Sequence, residues 1–450
     1  MSPAVVEAAN TAPVATLSGH QLLVFLLQVG GLLALAVLLG ALVVRFGMPA
    51  VVGELAAGVL AGPSLLGWLA PGLSGWLLPH DPAQLHLLDA VGQVGVLLLV
   101  GVAGIHLNLG LLRRERRAVT LVSAGALLIP LGLGLAAGLL LPAEMHAAGT
   151  RKTEFALFIG VAICVSAIPV IASTLIQLDL LERRIGQLIM AAAAVDDVIG
   201  WLLLSLVSAT AMTGLGANDL VRPVCYLLAV LLATVLIGRP VVRFALRLAR
   251  RSGSPSAGVA TVVVLLLLSG AATQALGLES ILGTFLCGLL IGSSGVAEPE
   301  LLAPLRTFVL AVLAPIFFAT AGLRVDLTKL ARPVVLVSAL AVLALAIFGK
   351  FAGAYLGARL SRCDRWTGIA LGAGLNARGV VEVVVAMVGL RLGILNTASY
   401  TVIVLLAVVT SLMAPPLLRF AVARTADADQ EATGRSRPAA ELRVAWEAER

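Results

Sequence analysis

Apolar runs of about twenty residues recur along nearly the whole chain of 450 residues, and this length is what a helix needs to cross a bilayer. Hydrophobic residues make up 60% of the chain and charged residues only 12%. The charged fraction is about half that of an ordinary soluble domain. The sequence therefore predicts an all-α membrane protein and not two or three soluble domains.

Thirteen apolar segments are candidates for transmembrane helices, separated by short loops. They are 21–44, 49–68, 85–107, 118–141, 154–177, 185–212, 220–247, 257–276, 279–295, 303–323, 333–358, 366–390 and 398–421. We expect one transmembrane domain over 21–424, preceded by an extracytoplasmic segment, 1–20. The charged, Ala-rich tail, 425–450, is predicted to be cytoplasmic and disordered.

Basic residues are concentrated in the loops that follow odd-numbered segments, including a cluster within 113–117. The positive-inside rule then places the N-terminus outside and the C-terminus in the cytoplasm, in a multi-pass protein of the cytoplasmic membrane. The net charge of +7 does not indicate nucleic-acid binding, because the charges are dispersed and aromatic residues make up only 4% of the chain. The four cysteines have no paired spacing, so neither a disulfide framework nor a metal site is expected.

Two adjacent acids, Asp196 and Asp197, interrupt the apolar run "MAAAAVDDVIGW". An ionisable residue in the middle of a membrane helix costs roughly 2.5–3.5 kcal/mol on insertion scales. Neighbouring carboxylates repel each other, and burial favours the protonated form, so we expect at least one of them to exchange a proton. A carboxylate is also a hard oxygen ligand for a small cation. Competition between proton and cation for one site is the minimal chemistry of an antiporter.

Lys350, in "LALAIFGKFAGAYLG", supplies a counter-charge within another predicted helix. Pairing with Asp196 would keep the lysine protonated while the cation is absent and would release its proton when the cation arrives. The alternative is an inert ion pair that only joins the two helices. Two acids facing one base in the middle of the membrane favour the functional interpretation.

Two predicted helices carry polar interruptions near their middle. Pro169, in "ICVSAIPVIASTLIQ", is expected to kink or unwind its helix beside Ser166, although a simple kink is a common alternative. The second interruption, "GAGLNARGVVE", contains Asn376, Arg378 and Glu382. The two helices are seven segments apart, and this odd offset predicts inverted repeats with two crossing discontinuous helices. Arg378 and Glu382 would balance the helix ends, form a local i, i+4 pair, or do both.

Several stretches together resemble the monovalent cation:proton antiporter superfamily. The resemblance lies in the branch that includes plant cation/proton exchangers and bacterial sodium/proton and potassium/proton antiporters. It is carried by "MPAVVGELAAGVLAGPSLLG", "VSAIPVIASTL", "AAAAVDDVIGW", "APIFFATAGLRVDL" and "GKFAGAYLGARL…LNARGVVEVVVAMVGLRLGIL".

This resemblance implies a homodimer in which a core domain moves against a dimerisation domain in elevator-like alternating access. It places the carrier role on Asp197, with Asp196 as its partner, and Lys350 at the position of the lysine that pairs with it. An acid at the position of Asp196 is similar to the electrogenic members. Ser166 stands where many relatives have Thr beside the unwound stretch, while Pro169, Asn376, Arg378 and Glu382 would support the crossover.

One motif departs from the family pattern. In "AGIHLNL", His106 and Asn108 stand where many relatives have acids. The substitution could alter the pH response, since histidine titrates near neutrality. We favour the alternative, a solvated residue at a helix end.

The sequence thus predicts a secondary active transporter that exchanges Na⁺ or K⁺ for protons by alternating access and moves net charge. The alternatives are a cation channel or a non-transporting membrane sensor on the same fold. An organic-anion symporter fits the two acids and the lysine less well. No nucleophile–base constellation or metal-ligand cluster supports an enzyme, and no cofactor or metal is expected beyond the transported cation.

Overall fold

The computed structural model describes residues 17–78, 82–106, 115–181, 183–213, 217–251, 254–295 and 299–425. These residues are mainly helical and contain no strand, only an isolated bridge between His146 and Leu395. The predicted extracytoplasmic segment lies almost wholly outside the described residues, as does the predicted disordered tail apart from Thr425.

The helices are numbered here by the predicted segment to which each corresponds. They are α1 (Gly19–Arg45), α2 (Ala50–Ala61), α3 (Pro82–Ile105), α4 (Arg116–Leu140), α5a (Lys152–Cys164), α5b (Ile168–Gln177), α6 (Arg184–Thr213), α7 (Ala217–Ala233, a π turn at Thr234–Gly238, and Arg239–Arg251), α8 (Pro255–Ala275), α9 (Ser280–Ser293), α10 (Pro299–Phe308, a π turn at Val309–Leu313, and Ala314–Gly322), α11 (Pro333–Leu360), α12a (Arg365–Leu375), α12b (Val380–Arg391) and α13 (Thr397–Val422). Short helices occupy Leu66–Leu69 and Pro71–Leu77, and 3₁₀ turns occupy Ala143–Met145 and Leu327–Ala331.

The predicted count of thirteen spans is not confirmed. Among the described residues, ten helices are long and apolar enough to cross a membrane, or eleven if α12a and α12b, which meet at 46°, form one span. Two predicted spans, the fifth and the ninth, are missing from the count of eleven. Helix α9 has only 14 residues, and the fifth segment is divided into helices of 13 and 10 residues. Each piece is shorter than the roughly 20 residues that a straight membrane crossing needs.

The helices pack in two groups. The first group contains α4, α5a, α5b, α6, α11, α12a, α12b and α13, and the second contains α1, α2, α3, α8, α9 and α10. Close approach within a group depends on glycine: a Cβ at Gly125 of α4 would lie 2.2 Å from the carbonyl oxygen of Gly353 on α11. Small residues at such crossings are how membrane helices gain packing energy without a hydrophobic driving force.

Helix α7 joins the two groups. It packs against α6 of the first group and against α8 and α9 of the second. Only 6% of its most apolar stretch is buried, the lowest share among the ten candidate spans. Most of its surface is therefore available to lipid.

Candidate functional site

The two helix breaks meet inside the first group. The backbone N–H of Ala167, between α5a and α5b, donates to the carbonyl of Ala377 in the other break, with an N–O distance of 3.2 Å. The Ser166 hydroxyl lies 3.0 Å from the carbonyl oxygen of Leu375, the last residue of α12a. Helix ends leave backbone groups unpaired, and here the two breaks partly satisfy each other.

The α5 break lies just before Pro169. Residues 165–167 are non-helical, and Pro169 is the second residue of α5b, where its missing N–H removes no helical hydrogen bond. The proline ring clashes with the carbonyl four residues earlier in a continuous helix, and that residue is Val165, the first of the break. The Pro169 side chain lies outside the part of the chain that the structure describes.

Charged side chains lie at the ends of the half-helices. Lys350 Nζ donates to the carbonyl of Cys164 at 2.6 Å, and Arg378 donates to that of Ala162 at 3.1 Å. Both carbonyls belong to the last turn of α5a, the negative end of its dipole. Glu382 lies in the first turn of α12b, the positive end. Glu382 also accepts a hydrogen bond from Arg378 at 3.1 Å, so the two roles considered from the sequence are compatible.

Asp196 lies at the centre of a buried polar cluster. One of its carboxylate oxygens, Oδ2, is 2.7 Å from Lys350 Nζ and 2.9 Å from the hydroxyl of Ser166. Asp196 and Lys350 are fully buried, and Ser166 is 1% exposed. A buried ion pair needs such additional hydrogen bonds to offset the cost of desolvation. Helices α5, α6 and α11 are joined at this point.

Asp197 has different surroundings, although it is the next residue of α6. It is 2% exposed, and the backbone amide of Ile168, at the N-terminus of α5b, is its hydrogen-bonding partner. Oδ1 of Asp196, Oδ1 of Asp197 and both amide atoms of Asn376 are buried without a hydrogen-bond partner among the described residues. Buried polar atoms are normally paired. These oxygens can receive either protons or a hard cation.

A second set of contacts holds Arg378. Its guanidinium also donates to the carbonyl of Ala346 on α11 at 3.3 Å, and the hydroxyl of Ser411 on α13 donates to its backbone carbonyl. Sequence reasoning did not identify Ser411. The available signal was the polar pair Thr410–Ser411, which interrupts the apolar run in the middle of α13.

Other polar residues lie away from this cluster. Glu54, in α2, belongs to the second helix group. His106 is exposed just after the end of α3, where its Nδ1 lies 2.8 Å from the carbonyl oxygen of Val102; Asn108 lies outside the described residues. No group of three or more His, Cys, Asp or Glu side chains that could hold a metal ion occurs within the described ranges.

Polar contacts between described residues connect the two helix groups, and three of them lie close together. Arg391, at the end of α12b, lies 2.6 Å from the carboxylate of Glu279 before α9. The Tyr400 hydroxyl donates to the carbonyl of Ala321 in α10 at 2.7 Å, and the Thr401 hydroxyl accepts from the amide of Asp326 at 3.0 Å. All three lie at the end of the molecule where α10 and α12b finish. This end is closed.

Two discontinuous helices that cross beside a buried acid pair define a membrane transporter of the ion-exchanging type. The chain belongs to the sodium/hydrogen exchanger family, whose transmembrane model matches residues 32–424. It is 32% identical over 405 residues to the Na(+)/H(+) antiporter NhaS4 of Synechocystis sp., covering 89% of this chain and 97% of that protein.

A plant protein and a solved structure are also similar to this chain. Cation/H(+) antiporter 20 of Arabidopsis thaliana is 29% identical over 383 residues, covering 82% of this chain but only 45% of the plant protein. The structure of the sodium proton antiporter MjNhaP1 from Methanocaldococcus jannaschii matches with a TM-score of 0.66 at 16% identity, over 89% of this chain and 99% of that chain. That match shows the same fold.

Proposed function

We propose that this protein is a secondary active transporter that exchanges a monovalent cation, Na⁺ or K⁺, for protons. The observation that carries the proposal is the buried pair Asp196–Asp197, which lies at the helix crossover with one lysine for two acids and with free carboxylate oxygens. Membership of the exchanger family supports the same activity. Asp197, Asp196 and Ser166 are the proposed cation- and proton-binding residues.

The exchange step follows from the charges of the cluster. Without the cation, a protonated Asp197, an ionised Asp196 and a protonated Lys350 sum to zero charge. An entering cation is bound by both carboxylates, so Asp197 loses its proton. The cation also replaces the ammonium group as the partner of Asp196, so Lys350 loses its proton as well. Two protons leave for one cation, and each cycle moves one net charge.

Alternating access provides the two sides of the exchange. The proposed site is buried on all sides within the first helix group. Movement of that group against the second would open the site to each side in turn, with Pro169, Asn376, Arg378 and Glu382 holding the crossover rigid. We place the transporter, as a homodimer, in the cytoplasmic membrane. The distribution of arginines supports an N-terminus outside and a C-terminal end in the cytoplasm.

The test uses purified protein in liposomes with an internal pH dye. A pulse of Na⁺ or K⁺ is expected to drive protons across the membrane, and the rate should change when the membrane potential is clamped. Lys350→Ala separates an exchanger from a channel. An exchanger should lose or alter the pH dependence of its transport, whereas a channel would still pass cations without coupled proton movement. Cation flux through the wild-type protein without proton movement would refute the proposal.

A further inference from the structure

The C-terminal part of α7 carries a stripe of arginines. The stripe consists of Arg239, Arg243, Arg247, Arg250 and Arg251. At about 100° per residue these positions fall within an arc of roughly 120° on one side of the helix. The helix buries a different side, through Val242, Leu246 and Ala249. The positive charges are therefore grouped on one face, directed away from the protein core.

Four of these arginines have no counter-charge among the residues that the structure describes. No hydrogen bond or ion pair links Arg239, Arg243, Arg247 or Arg251 to another described residue. Like charges repeated along one face repel each other. A bound anion would relieve that repulsion.

Exposed apolar side chains lie next to the arginine stripe. Val241, Phe244 and Leu248 are 49%, 69% and 57% exposed. A helix with cationic and apolar faces side by side is suited to the boundary between lipid headgroups and acyl chains. Arginine reaches that boundary by laying its aliphatic stem along apolar surface.

An apolar cavity of about 390 Å³ adjoins the stripe, between α7, α8 and α9. Its lining includes Ile237, Val241, Leu265, Leu268, Leu286 and Leu290. Ile237 and Leu268 are each 63% exposed, so the cavity is open to the lipid-facing surface. Gly238 also lines it, and the first arginine, Arg239, is the next residue. Arg239 therefore lies at the edge of the cavity, and Arg243 and Arg247 lie farther round the helix.

The sequence explains why the helix face changes just before the arginine stripe. Pro240 lacks an N–H and its ring clashes with the carbonyl of the residue four positions earlier. The preceding turn, Thr234–Gly238, is a π turn, in which the amide of Arg239 donates to the carbonyl of Thr234. The extra residue in the turn rotates the following helix face. At Gly238 an added Cβ would lie 2.8 Å from Leu290 Cδ1, so glycine allows α7 to approach α9 beside the cavity.

We propose that this surface binds one anionic phospholipid. Arg239, Arg243 and Arg247 hold its phosphate, and the cavity between α7, α8 and α9 takes an acyl chain. Because α7 connects the two helix groups, a bound lipid tethers the connecting helix to α8 and α9. The binding itself is independent of the proposed exchange activity.

The first experiment measures binding without transport. Purified protein in an uncharged detergent is titrated with phosphatidylglycerol, and separately with phosphatidylcholine of the same chains, while the thermal midpoint is followed. Phosphatidylglycerol should raise the midpoint of the wild type and phosphatidylcholine should not. R239Q/R243Q/R247Q should weaken phosphatidylglycerol binding about 100-fold, since each surface arginine contributes roughly fivefold to binding an anionic lipid.

The matched control removes three exposed arginines elsewhere, in R45Q/R116Q/R362Q, and should bind phosphatidylglycerol as the wild type does. Equal losses in the two triple variants would show a nonspecific charge effect and would overturn the proposal. Stabilisation of the wild type by inorganic phosphate alone, to the same extent, would identify a free-anion site and would also overturn it.

A second variant tests the acyl-chain part. Ala272 lines the cavity and is exposed, so Ala272→Phe fills the space while keeping every arginine. It should weaken phosphatidylglycerol binding without altering the midpoint in detergent alone. Unchanged affinity in Ala272→Phe would show that no acyl chain occupies the cavity.

Discussion

Asp196 and Asp197 are neighbours in sequence with different surroundings. Consecutive residues of a helix point about 100° apart. Asp196 consequently reaches Lys350 and Ser166, whereas Asp197 faces the start of α5b at Ile168. Asp196 has a positive partner, Lys350, and no ion pair is formed by Asp197 among the described residues. In the proposed mechanism, Asp196 accordingly holds Lys350 while Asp197 takes up and releases a proton.

Asp197→Asn should reduce cation-driven proton movement to the level of protein-free liposomes, because the amide can neither bind a proton nor act as an anionic ligand. The protein should still insert and remain monodisperse. Asp179→Asn is the matched control: Asp179 lies after α5b with a φ of 54°, a conformation that Asn also accepts, and exchange should be unchanged. Wild-type exchange by Asp197→Asn would remove Asp197 from the site.

Lys350→Met should destabilise the folded protein by about 3–5 kcal/mol, because it leaves the Asp196 charge buried and unpaired. The double variant Lys350→Met/Asp196→Asn should recover much of that loss, since both charges are gone. Denaturant unfolding in detergent measures the three proteins. If the double variant is no more stable than the single one, the ion pair is not the source of the effect.

At the scale of the elements, the crossover depends on two short breaks that fit against each other. Gly379 is the residue before α12b, and a Cβ there would lie 2.6 Å from a side-chain carbon of Val170 on α5b. A contact this short requires either the Val170 side chain or one half-helix to move. Residues in the two breaks therefore have to be small as well as polar.

Gly379→Ala should lower both the thermal midpoint and the exchange rate, because the new methyl group displaces the Val170 side chain or separates α5b from α12b. Gly132→Ala in α4 is the control, since nothing lies within 4 Å of the new methyl group. It should leave exchange unchanged and stabilise the helix by up to about 1 kcal/mol. Equal behaviour of the two variants would contradict the steric account of the crossover.

The start of α12a is capped by Asp364, whose carboxylate accepts hydrogen bonds from the amides of Trp366 and Thr367 at 2.9 and 3.1 Å. Partial burial acts to raise the pKa of Asp364, but these bonds and one from the Thr367 hydroxyl outweigh it, so the pKa is lowered. Asp364→Ala should cost about 1 kcal/mol of stability.

The pH dependence of that cost follows from linkage. A lowered folded-state pKa gives stabilisation that is complete above the unfolded value, about 3.9, and is lost as pH falls through the lower folded value. The stability difference between wild type and Asp364→Ala should be constant from neutral to mildly acidic pH and should shrink below about pH 4. A difference that grows on acidification would contradict the cap.

Sequence patterns predicted the helices and the ionisable residues of the site, since long apolar runs and buried charges are local features. The acceptors of Lys350 and Arg378 were not predictable, because the carbonyls of Cys164 and Ala346 become available only through tertiary packing. The predicted count of thirteen spans is not confirmed, because tertiary contacts decide where a helix is interrupted. The fifth run is apolar enough for one helix, but its break is stabilised by a hydrogen bond from a distant break, at Ala377.

At the scale of the whole molecule, the two helix groups are held together at one end. The contacts there include the Arg391–Glu279 pair, with Glu279 largely buried, and the Tyr400 hydroxyl on the carbonyl of Ala321. Alternating access requires these contacts to separate during each cycle. In the proposed mechanism the described conformation is then one of at least two.

Cross-linking tests that requirement. In a background without the four native cysteines, a cleavable bismaleimide joining Glu279→Cys to Arg391→Cys should stop exchange, and cleavage should restore it. Joining Asp326→Cys to Lys329→Cys is the control, because both residues lie in the same loop, with their charged groups 3.4 Å apart. Continued exchange with the first pair fully cross-linked would show that the two groups need not separate there.

The most direct test of the central claim is the effect of external cation on internal pH in liposomes that carry an imposed proton gradient. Wild-type protein and Asp197→Asn are compared, with Na⁺ and with K⁺, with and without a potential clamp. The proposed mechanism predicts cation-triggered proton movement that depends on the clamp and is absent from Asp197→Asn. Equal proton movement in both proteins, or none in the wild type with either cation, would contradict it.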